Sequence, residues 1–159
     1  MKKITLIGGA PVSGKTTLSK DLAKHDGAVE LSSDSIRSWM KQLVSNKDYP
    51  GLFYSDDMSA EEFYQKYDSP EAVVEGEINE GRQVEKGILS FLKSSIMWDH
   101  LIMEGIAITP EFMEKIKLMY PEQDVNCIVL VDESKERIHS RISSRGLWGP
   151  LDTYPSKLI

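Results

Sequence analysis

The chain has little cysteine, few histidines and no long hydrophobic run, and these shortages exclude several classes of protein. A single cysteine among 159 residues excludes an intrachain disulfide framework, so we expect a reducing, cytoplasmic setting. No apolar stretch approaches the ~20 residues of a membrane-spanning helix, and the apolar run after Met1 does not resemble a signal peptide. We therefore expect no membrane partner.

Positive charge is scarcer than negative charge, with 19 Lys and Arg residues against 25 Asp and Glu residues. The resulting net charge of −6 opposes the basic surface that a nucleic-acid backbone requires, so we expect no nucleic-acid partner. The length gives room for one domain with a sizeable core, and we predict a single domain over residues 1–159.

The most specific pattern is a glycine-rich segment that lies between an apolar run and an amphipathic stretch. Residues 9–16 match G-x-x-x-x-G-K-[ST]. Between a strand and a helix, the backbone N–H groups of such a loop bind phosphate, the lysine contacts the β- and γ-phosphates, and the threonine binds Mg²⁺. A glycine-rich turn without a ligand is the alternative. We predict that ATP and Mg²⁺ are bound by Gly9, Ala10, Pro11, Val12, Ser13, Gly14, Lys15, Thr16 and Thr17.

Four apolar segments alternate with helical patterns along the chain. The segments are residues 4–7, 28–31, 101–103 and 127–131. We predict that they are buried parallel strands, because apolar, β-branched runs are typical of such strands. The alternation predicts a right-handed, doubly wound α/β domain of three layers, in which ligands bind at the carboxyl ends of the strands. Combined with the phosphate-binding motif, it indicates a fold of the P-loop NTPase type.

Between residues 47 and 69 the sequence has neither a helical nor a strand periodicity, and aromatic residues mix with turn residues. A long irregular segment in a compact domain is usually functional, and its aromatic residues disfavour disorder. We predict that residues 45–70 form a cap on the substrate side. A surface insertion without a function is the alternative.

Two acidic residues follow predicted strands at the edge where the glycine-rich loop lies. Asp34 comes after the second strand and Glu104 ends the third. A carboxylate at either place can orient or deprotonate a substrate hydroxyl, or hold Mg²⁺ directly or through water. The alternatives are a helix N-cap for Asp34 and a purely structural carboxylate for Glu104. We predict that both are catalytic and that both join Thr16 in binding the metal.

Arg37 lies about one helical turn beyond Asp34, so both side chains can face the loop. An arginine there can bind an anionic substrate or stabilise the phosphoryl group during transfer. We predict a catalytic role for Arg37. The alternative is an exposed helical residue.

Arginines recur every fourth residue near the end of the chain, at Arg137, Arg141 and Arg145. On a helix they would form one stripe whose like charges repel unless anions neutralise them. ATP phosphates could do so, and we predict that Arg141 and Arg145 contact the nucleotide. We also predict that Arg141 and Lys15 are catalytic, because both can stabilise charge during phosphoryl transfer. A solvated face paired with the glutamates at 133 and 136 is the alternative.

Together these segments resemble the P-loop kinases of small molecules, and in particular the 2-phosphoglycerate-kinase-like proteins. The resemblance rests on G-G-A-P-V-S-G-K-T, S-S-D-S-I-R, residues 83–88, and I-M-E-G followed by Pro110. It implies strand order 2-3-1-4-5. It also implies these positions: Lys15 and Thr16 at the phosphates and Mg²⁺, Asp34 and Arg37 toward the acceptor, and Arg141 and Arg145 on a lid.

Such kinases generally continue past the lid with a fifth strand and a closing helix. Residues 151–159, which follow the lid, are too few to build both. We therefore expect a sheet of order 2-3-1-4 that lacks the fifth strand, and a lid over residues 133–150. Either the sequence lacks its C-terminal part, or the site for the nucleotide base is minimal, completed by a partner, or lost.

We predict an ATP- and Mg²⁺-dependent phosphotransferase that transfers the γ-phosphoryl group to a hydroxyl, or to a phosphate, of a small anionic metabolite. Its partner is then a small-molecule phosphoryl acceptor. The first alternative is an ATP-binding regulator or incomplete kinase relative without useful turnover, and the second is an NTP hydrolase. No pattern in the sequence predicts the oligomeric state.

Overall fold

The computed structural model describes residues 2–56, 58–94 and 98–145. Four strands and seven helical segments alternate along this part of the chain. The strands are β1 (Lys3–Gly9), β2 (Val29–Ser32), β3 (His100–Glu104) and β4 (Asp124–Leu130). The α-helices are α1 (Lys15–Asp26), α2 (Ser33–Leu43), α3 (Ala60–Lys66), α4 (Pro70–Ser94), α5 (Pro110–Met119) and α6 (Lys135–Arg145), with a 3₁₀ turn at Pro50–Phe53.

The four described strands form one parallel sheet in the order β2-β3-β1-β4. The predicted α/β fold and the order 2-3-1-4 are confirmed. Ile4 pairs with Leu101 on one side and with Val125 on the other, so β1 lies inside the sheet. Ser32 at the end of β2 is level with Glu104 at the end of β3. The carboxyl ends of β2 and β3 therefore meet at one edge.

The core is built on the two central strands. Ile4 and Leu6 of β1 pack in one cluster with Leu101 and Met103 of β3, and α4 contributes an apolar stripe to it. That stripe consists of Val84, Ile88 and Leu92. Ile7 and Ile102 are buried outside this cluster. Since adjacent residues of a strand point to opposite faces, the centre of the sheet is covered on both sides.

The outer strands correct one expectation. We expected four buried strands, but β2 and β4 are the two edges of the described sheet. Val29 on β2 and Val129 on β4 are 46% and 44% exposed, and Cys127 is half-buried rather than buried. An edge strand has a neighbour on one side only, so apolar composition alone does not give it two covered faces.

The segment between α2 and α4 is more regular than we expected from the sequence. Instead of a long irregular loop it contains the 3₁₀ turn and α3, which begins with a capping box formed by Ser59 and Glu62. The Tyr54 ring meets the rings of Phe63 and Tyr67 edge to face, with centroids 5.8 and 5.5 Å away. This aromatic cluster gives the segment its own small core. Its role as a cap stays a prediction.

Helix α4 joins this segment to the rest of the domain. It packs on α2, where Gly87 lies against Met40 and Ile36, and on the 3₁₀ turn, where Gly51 lies against Gln83. Helix α5, which the sequence reading missed, begins at Pro110 with Thr109 as its N-cap. Among the helices described, none has the length and apolar character needed to cross a membrane.

Candidate active site

The loop between β1 and α1 has the backbone of a tight anion-binding turn. Gly9 and Gly14 have φ angles of 141° and 97°, in the region that favours glycine, and Val12 adopts a φ of 55°. Gly14 is the N-cap of α1 and offers no side-chain cap to the first turn. The N–H groups at this helix start are therefore available to a bound anion.

Two side chains of the loop fit a phosphate ligand. Lys15 is only 7% exposed, and its Nζ donates to the backbone oxygen of Ala10 at 2.7 Å, so the ammonium group lies over the loop. The buried Oγ of Ser13 has no hydrogen-bond partner among the described residues. A buried hydroxyl without a partner is unfavourable, and a phosphate oxygen would satisfy it. These residues fit the phosphates of ATP.

Thr16 and Glu104 form the polar contact between α1 and the end of β3. The Thr16 hydroxyl donates to Oε1 of Glu104 at 3.3 Å, and Glu104 is only 4% exposed. The described residues hold no group of three or more metal-ligating side chains. A Mg²⁺ ion at Thr16 would therefore complete its coordination with phosphate oxygens and water, and Glu104 would act on that water. The residues fit Mg²⁺ in this form.

A cavity of about 600 Å³ opens beside the loop on the side of α6. It is lined by Val12, Gly14, Lys15, Thr16, Thr17, Leu18, Asp21, Arg141 and Ser144. Arg141 reaches the loop itself, because its Nη1 donates to the backbone oxygen of Val12 at 3.3 Å. The lid arginine and the phosphate loop thus belong to one cavity, which we call the nucleotide cavity.

Asp132 holds the arginines of α6, a contact that the sequence reading missed. It accepts hydrogen bonds from Arg137 at 2.7 Å and from Arg141 at 2.9 Å. The bond from Arg137, the backbone N–H of Ser134 and the charge of Arg141 keep the pKa of Asp132 below its ordinary value. The alternative of partners at 133 and 136 is therefore wrong for these two arginines. The side chain of Arg145 and residues 146–150 of the predicted lid lie outside the described residues.

A second cavity, of about 190 Å³, lies on the other side of the sheet edge, and we call it the acceptor cavity. Its walls come from α2, the 3₁₀ segment, α4 and the turn after β3, and its lining residues are Ser33, Asp34, Arg37, Ser55, Glu77, Glu80, Gly81, Val84, Ile106 and Ala107. Gly105, with a φ of 147°, lets this turn approach Ser33, whose hydroxyl would collide with any side chain at that position. The first residue of this turn that lines the cavity is Ile106, two residues after Glu104.

Asp34 and Arg37 both line the acceptor cavity, but their surroundings differ. Asp34 is exposed in the first turn of α2, and the N-cap of that helix is Ser32, whose hydroxyl accepts from the N–H of Asp34. Arg37 is instead engaged by carboxylates, since it forms ion pairs with Glu80 and with Asp56, the latter at 3.3 Å. The structure thus brings the two predicted residues into one cavity while giving Arg37 partners that the sequence did not indicate.

A comparison with known proteins finds a kinase that is similar to this chain in sequence. The chain is 29% identical over 156 residues to the 2-phosphoglycerate kinase of Methanopyrus kandleri. It is a distant homologue of that kinase. The match covers 95% of this chain and 47% of the relative, so the chain spans about half of the relative's length. No family model matches the chain.

Two solved structures also align with most of the chain. One is a gluconokinase from Sinorhizobium meliloti, with 12% identity, a TM-score of 0.49, and coverage of 94% of this chain and 68% of that one. The other is a sugar kinase from a Janibacter species, with 15% identity, a TM-score of 0.46, and coverage of 99% and 73%.

Proposed function

We propose that this chain carries the catalytic site of a small-molecule kinase that uses ATP and Mg²⁺. One observation carries the proposal, namely that two separate cavities flank the carboxyl edge of one parallel sheet. The nucleotide cavity contains the phosphate loop, and the acceptor cavity contains Asp34. Thr16 of the nucleotide cavity donates a hydrogen bond to Glu104, which precedes the turn that lines the acceptor cavity. A phosphotransferase needs a donor site and an acceptor site that share one reaction centre.

The described residues suggest a division of roles. ATP supplies the γ-phosphoryl group, and Mg²⁺ neutralises charge on its phosphates. Lys15 and the loop N–H groups bind the phosphates, while Thr16 binds the cation and Glu104 orients its water. Asp34 accepts the proton of the acceptor hydroxyl. The hydroxyl oxygen bonds to the γ-phosphorus as the bond from phosphorus to ADP breaks and ADP departs. Arg141 stabilises the negative charge that spreads over the phosphoryl oxygens.

The charge of the acceptor is a separate question. In the sequence, Arg37 favours an anionic acceptor. In the structure its guanidinium is already paired with Glu80 and Asp56. The proposal therefore specifies transfer to a hydroxyl group of a small molecule. It does not require that this acceptor molecule be anionic.

The test is coupled ADP release by the full chain with Mg²⁺–ATP and a panel of hydroxyl compounds. Wild type is compared with Lys15→Ala and Asp34→Asn, and Lys20→Ala on the exposed side of α1 is the matched control. We expect acceptor-dependent turnover that Lys15→Ala abolishes and that Lys20→Ala retains. ADP release that ignores every acceptor would indicate the hydrolase, and ATP binding without turnover would indicate the regulator.

A further inference from the structure

The acceptor cavity carries more negative than positive charge. Its charged lining residues are Asp34, Glu77 and Glu80 against a single guanidinium, that of Arg37. Within the described part of the chain no lysine or histidine lines it. The size of the cavity, about 190 Å³, is below the roughly 300–1,000 Å³ of pockets for drug-sized ligands. An occupant would therefore contact most of this charged wall.

Arg37 has little capacity left for an anion. Its side chain is 23% exposed and pairs with Glu80, whose side chain is 12% exposed, and with Asp56. Its Nε also donates to the backbone oxygen of Leu52 at 3.2 Å, and its Nη2 donates to Ser55 Oγ at 3.3 Å. An anionic ligand would have to compete with two carboxylates that are already in place, and like charges brought together in a partly buried site repel strongly.

Among the described residues, the remaining carboxylates of the wall, Glu77 and Asp34, form no ion pair with a cation. Glu77 accepts a hydrogen bond from the Tyr54 hydroxyl, which is a neutral donor. Burial, and after it the contact with Glu77, raises the pKa of Tyr54 well above its ordinary value, so this hydroxyl stays protonated. The ammonium group of Lys41 pairs with Asp56, which is also a partner of Arg37. The negative charge of Glu77 and Asp34 therefore faces the ligand.

We propose that the acceptor is a small hydroxyl compound without a negatively charged group, and that an amino group on it strengthens binding. The proposal rests on the proposed kinase function and names the substrate class of that site. An ammonium group would meet Asp34, Glu77 and Glu80, whereas a carboxylate or phosphate would meet the same three side chains and an occupied Arg37. The Arg37 pairings make the arginine a positioning residue that holds residues 52–56 against α4.

The first arm of the test measures kcat/KM in two acceptor series of constant skeleton. One series is glycerol, serinol, glycerate and glycerol phosphate, and the other is glucose, glucosamine, gluconate and glucose phosphate. We expect the neutral and amino members to exceed the carboxylate and phosphate members by at least about ten-fold. A preference for the anionic members would overturn the inference and leave the kinase function standing. Absence of turnover with all eight would count against the kinase function.

The second arm measures binding and needs no turnover. With the phosphate loop saturated by Mg²⁺ and a non-hydrolysable ATP analogue, serinol and glycerol phosphate are titrated calorimetrically. We expect wild type to bind serinol more tightly than glycerol phosphate. Glu80→Gln and Asp56→Asn each release Arg37 from one carboxylate, so both variants should bind glycerol phosphate at least about ten-fold more tightly than wild type.

Glu85→Gln is the matched control, because Glu85 lies on the same helix and pairs with Lys115 outside the cavity. It should bind both probes as wild type does. Two variants are used so that failure of one to fold does not remove the readout. Equal binding of glycerol phosphate by wild type and both variants, or tighter binding of glycerol phosphate than serinol by wild type, would overturn the inference.

Discussion

Glu104 lies between elements that line the two cavities. It is buried at the end of β3, accepts from Thr16 on one side, and precedes the turn that lines the acceptor cavity on the other. We expect Glu104→Gln to lower kcat on the order of 10²-fold, since the amide keeps the size of the side chain but loses the charge that orients a cation-bound water. Steady-state kinetics with a Mg²⁺ titration measure this effect.

The Mg²⁺ titration distinguishes a role at the cation from loss of folding. The variant should need more Mg²⁺ for half-maximal rate, while its circular dichroism matches that of wild type. Glu111→Gln, an exposed carboxylate on α5, is the matched control and should change neither quantity. An unchanged Mg²⁺ requirement in the Glu104 variant would show that this carboxylate acts elsewhere.

Asp132 gives a prediction about pH. Its pKa in the folded chain lies below the ordinary value of 3.8, chiefly because Arg137 donates to it. A lowered pKa means that the ionised form stabilises the fold above pH 3.8, and that this stabilisation is lost as the pH falls through the folded pKa. Near neutral pH, wild type should therefore unfold at a higher urea midpoint concentration than Asp132→Asn. This difference should shrink as the pH is lowered toward 3.

Urea unfolding of both proteins at several pH values checks this prediction. Glu133→Gln provides the comparison, since it removes a neighbouring exposed carboxylate that the structure does not pair with Arg137 or Arg141. A gap between wild type and the Asp132 variant that is the same at every pH would assign the effect to something other than ionisation.

For single residues, the sequence predicted where the site residues lie better than which side chains they contact. The phosphate loop and the strand ends placed Lys15, Thr16 and Glu104 correctly at one edge, because a motif and a strand boundary are local patterns. The ion pair of Arg37 with Glu80 joins α2 to α4, and no spacing along the chain indicates it. Asp132 lies close enough to be considered, but it precedes the helix, where helical spacing rules do not apply.

The packing of α4 on α2 depends on a helical glycine. A Cβ atom at Gly87 would come within 2.7 Å of Cγ2 of Ile36, a buried β-branched side chain with little freedom to move. We expect Gly87→Ala to destabilise the protein by about 1–3 kcal/mol through overpacking, despite the better helix propensity of alanine. Urea unfolding measures the difference.

Gly81 on the same helix is the matched control. A Cβ there would meet Cα of Ala107 at 3.5 Å, which is an ordinary van der Waals contact. Gly81→Ala should leave stability unchanged or raise it by up to about 1 kcal/mol, because alanine favours the helix. If both substitutions destabilised the protein equally, the close approach of α4 to α2 would not be the reason why Gly87 cannot be replaced by a larger residue.

At the scale of elements, helix starts were easier to predict than strand burial. Helices α2 and α4 begin at Ser33 and Pro70, where small polar residues and an N-terminal proline are strong local signals of a helix start. The exposed side of β4 could not be predicted, since Val129 has the composition of a buried strand and its exposure depends on what packs against the sheet. Burial is a property of neighbours rather than of the segment itself.

The molecule as a whole assembles its candidate site from segments far apart in sequence. Thr16 and Asp34 lie beyond the ends of β1 and β2, Glu104 is the last residue of β3, and the parallel sheet brings the ends of these strands to one edge. Because α1 and the end of β3 are joined there by Thr16 and Glu104, a ligand of the phosphate loop should stabilise the sheet and not only the loop.

This coupling predicts a ligand-dependent thermal stability. At a concentration 100 times its Kd, Mg²⁺–ATP should stabilise the folded chain by about 2.7 kcal/mol and raise Tm by about 5–10 °C. Lys15→Ala should lose most of this shift, because the ammonium group above the loop no longer meets the phosphates, whereas Lys20→Ala should keep it. ATP with EDTA should give a smaller shift than Mg²⁺–ATP if the hydroxyl of Thr16 holds the cation. A shift of equal size in Lys15→Ala would mean that the nucleotide binds away from this loop.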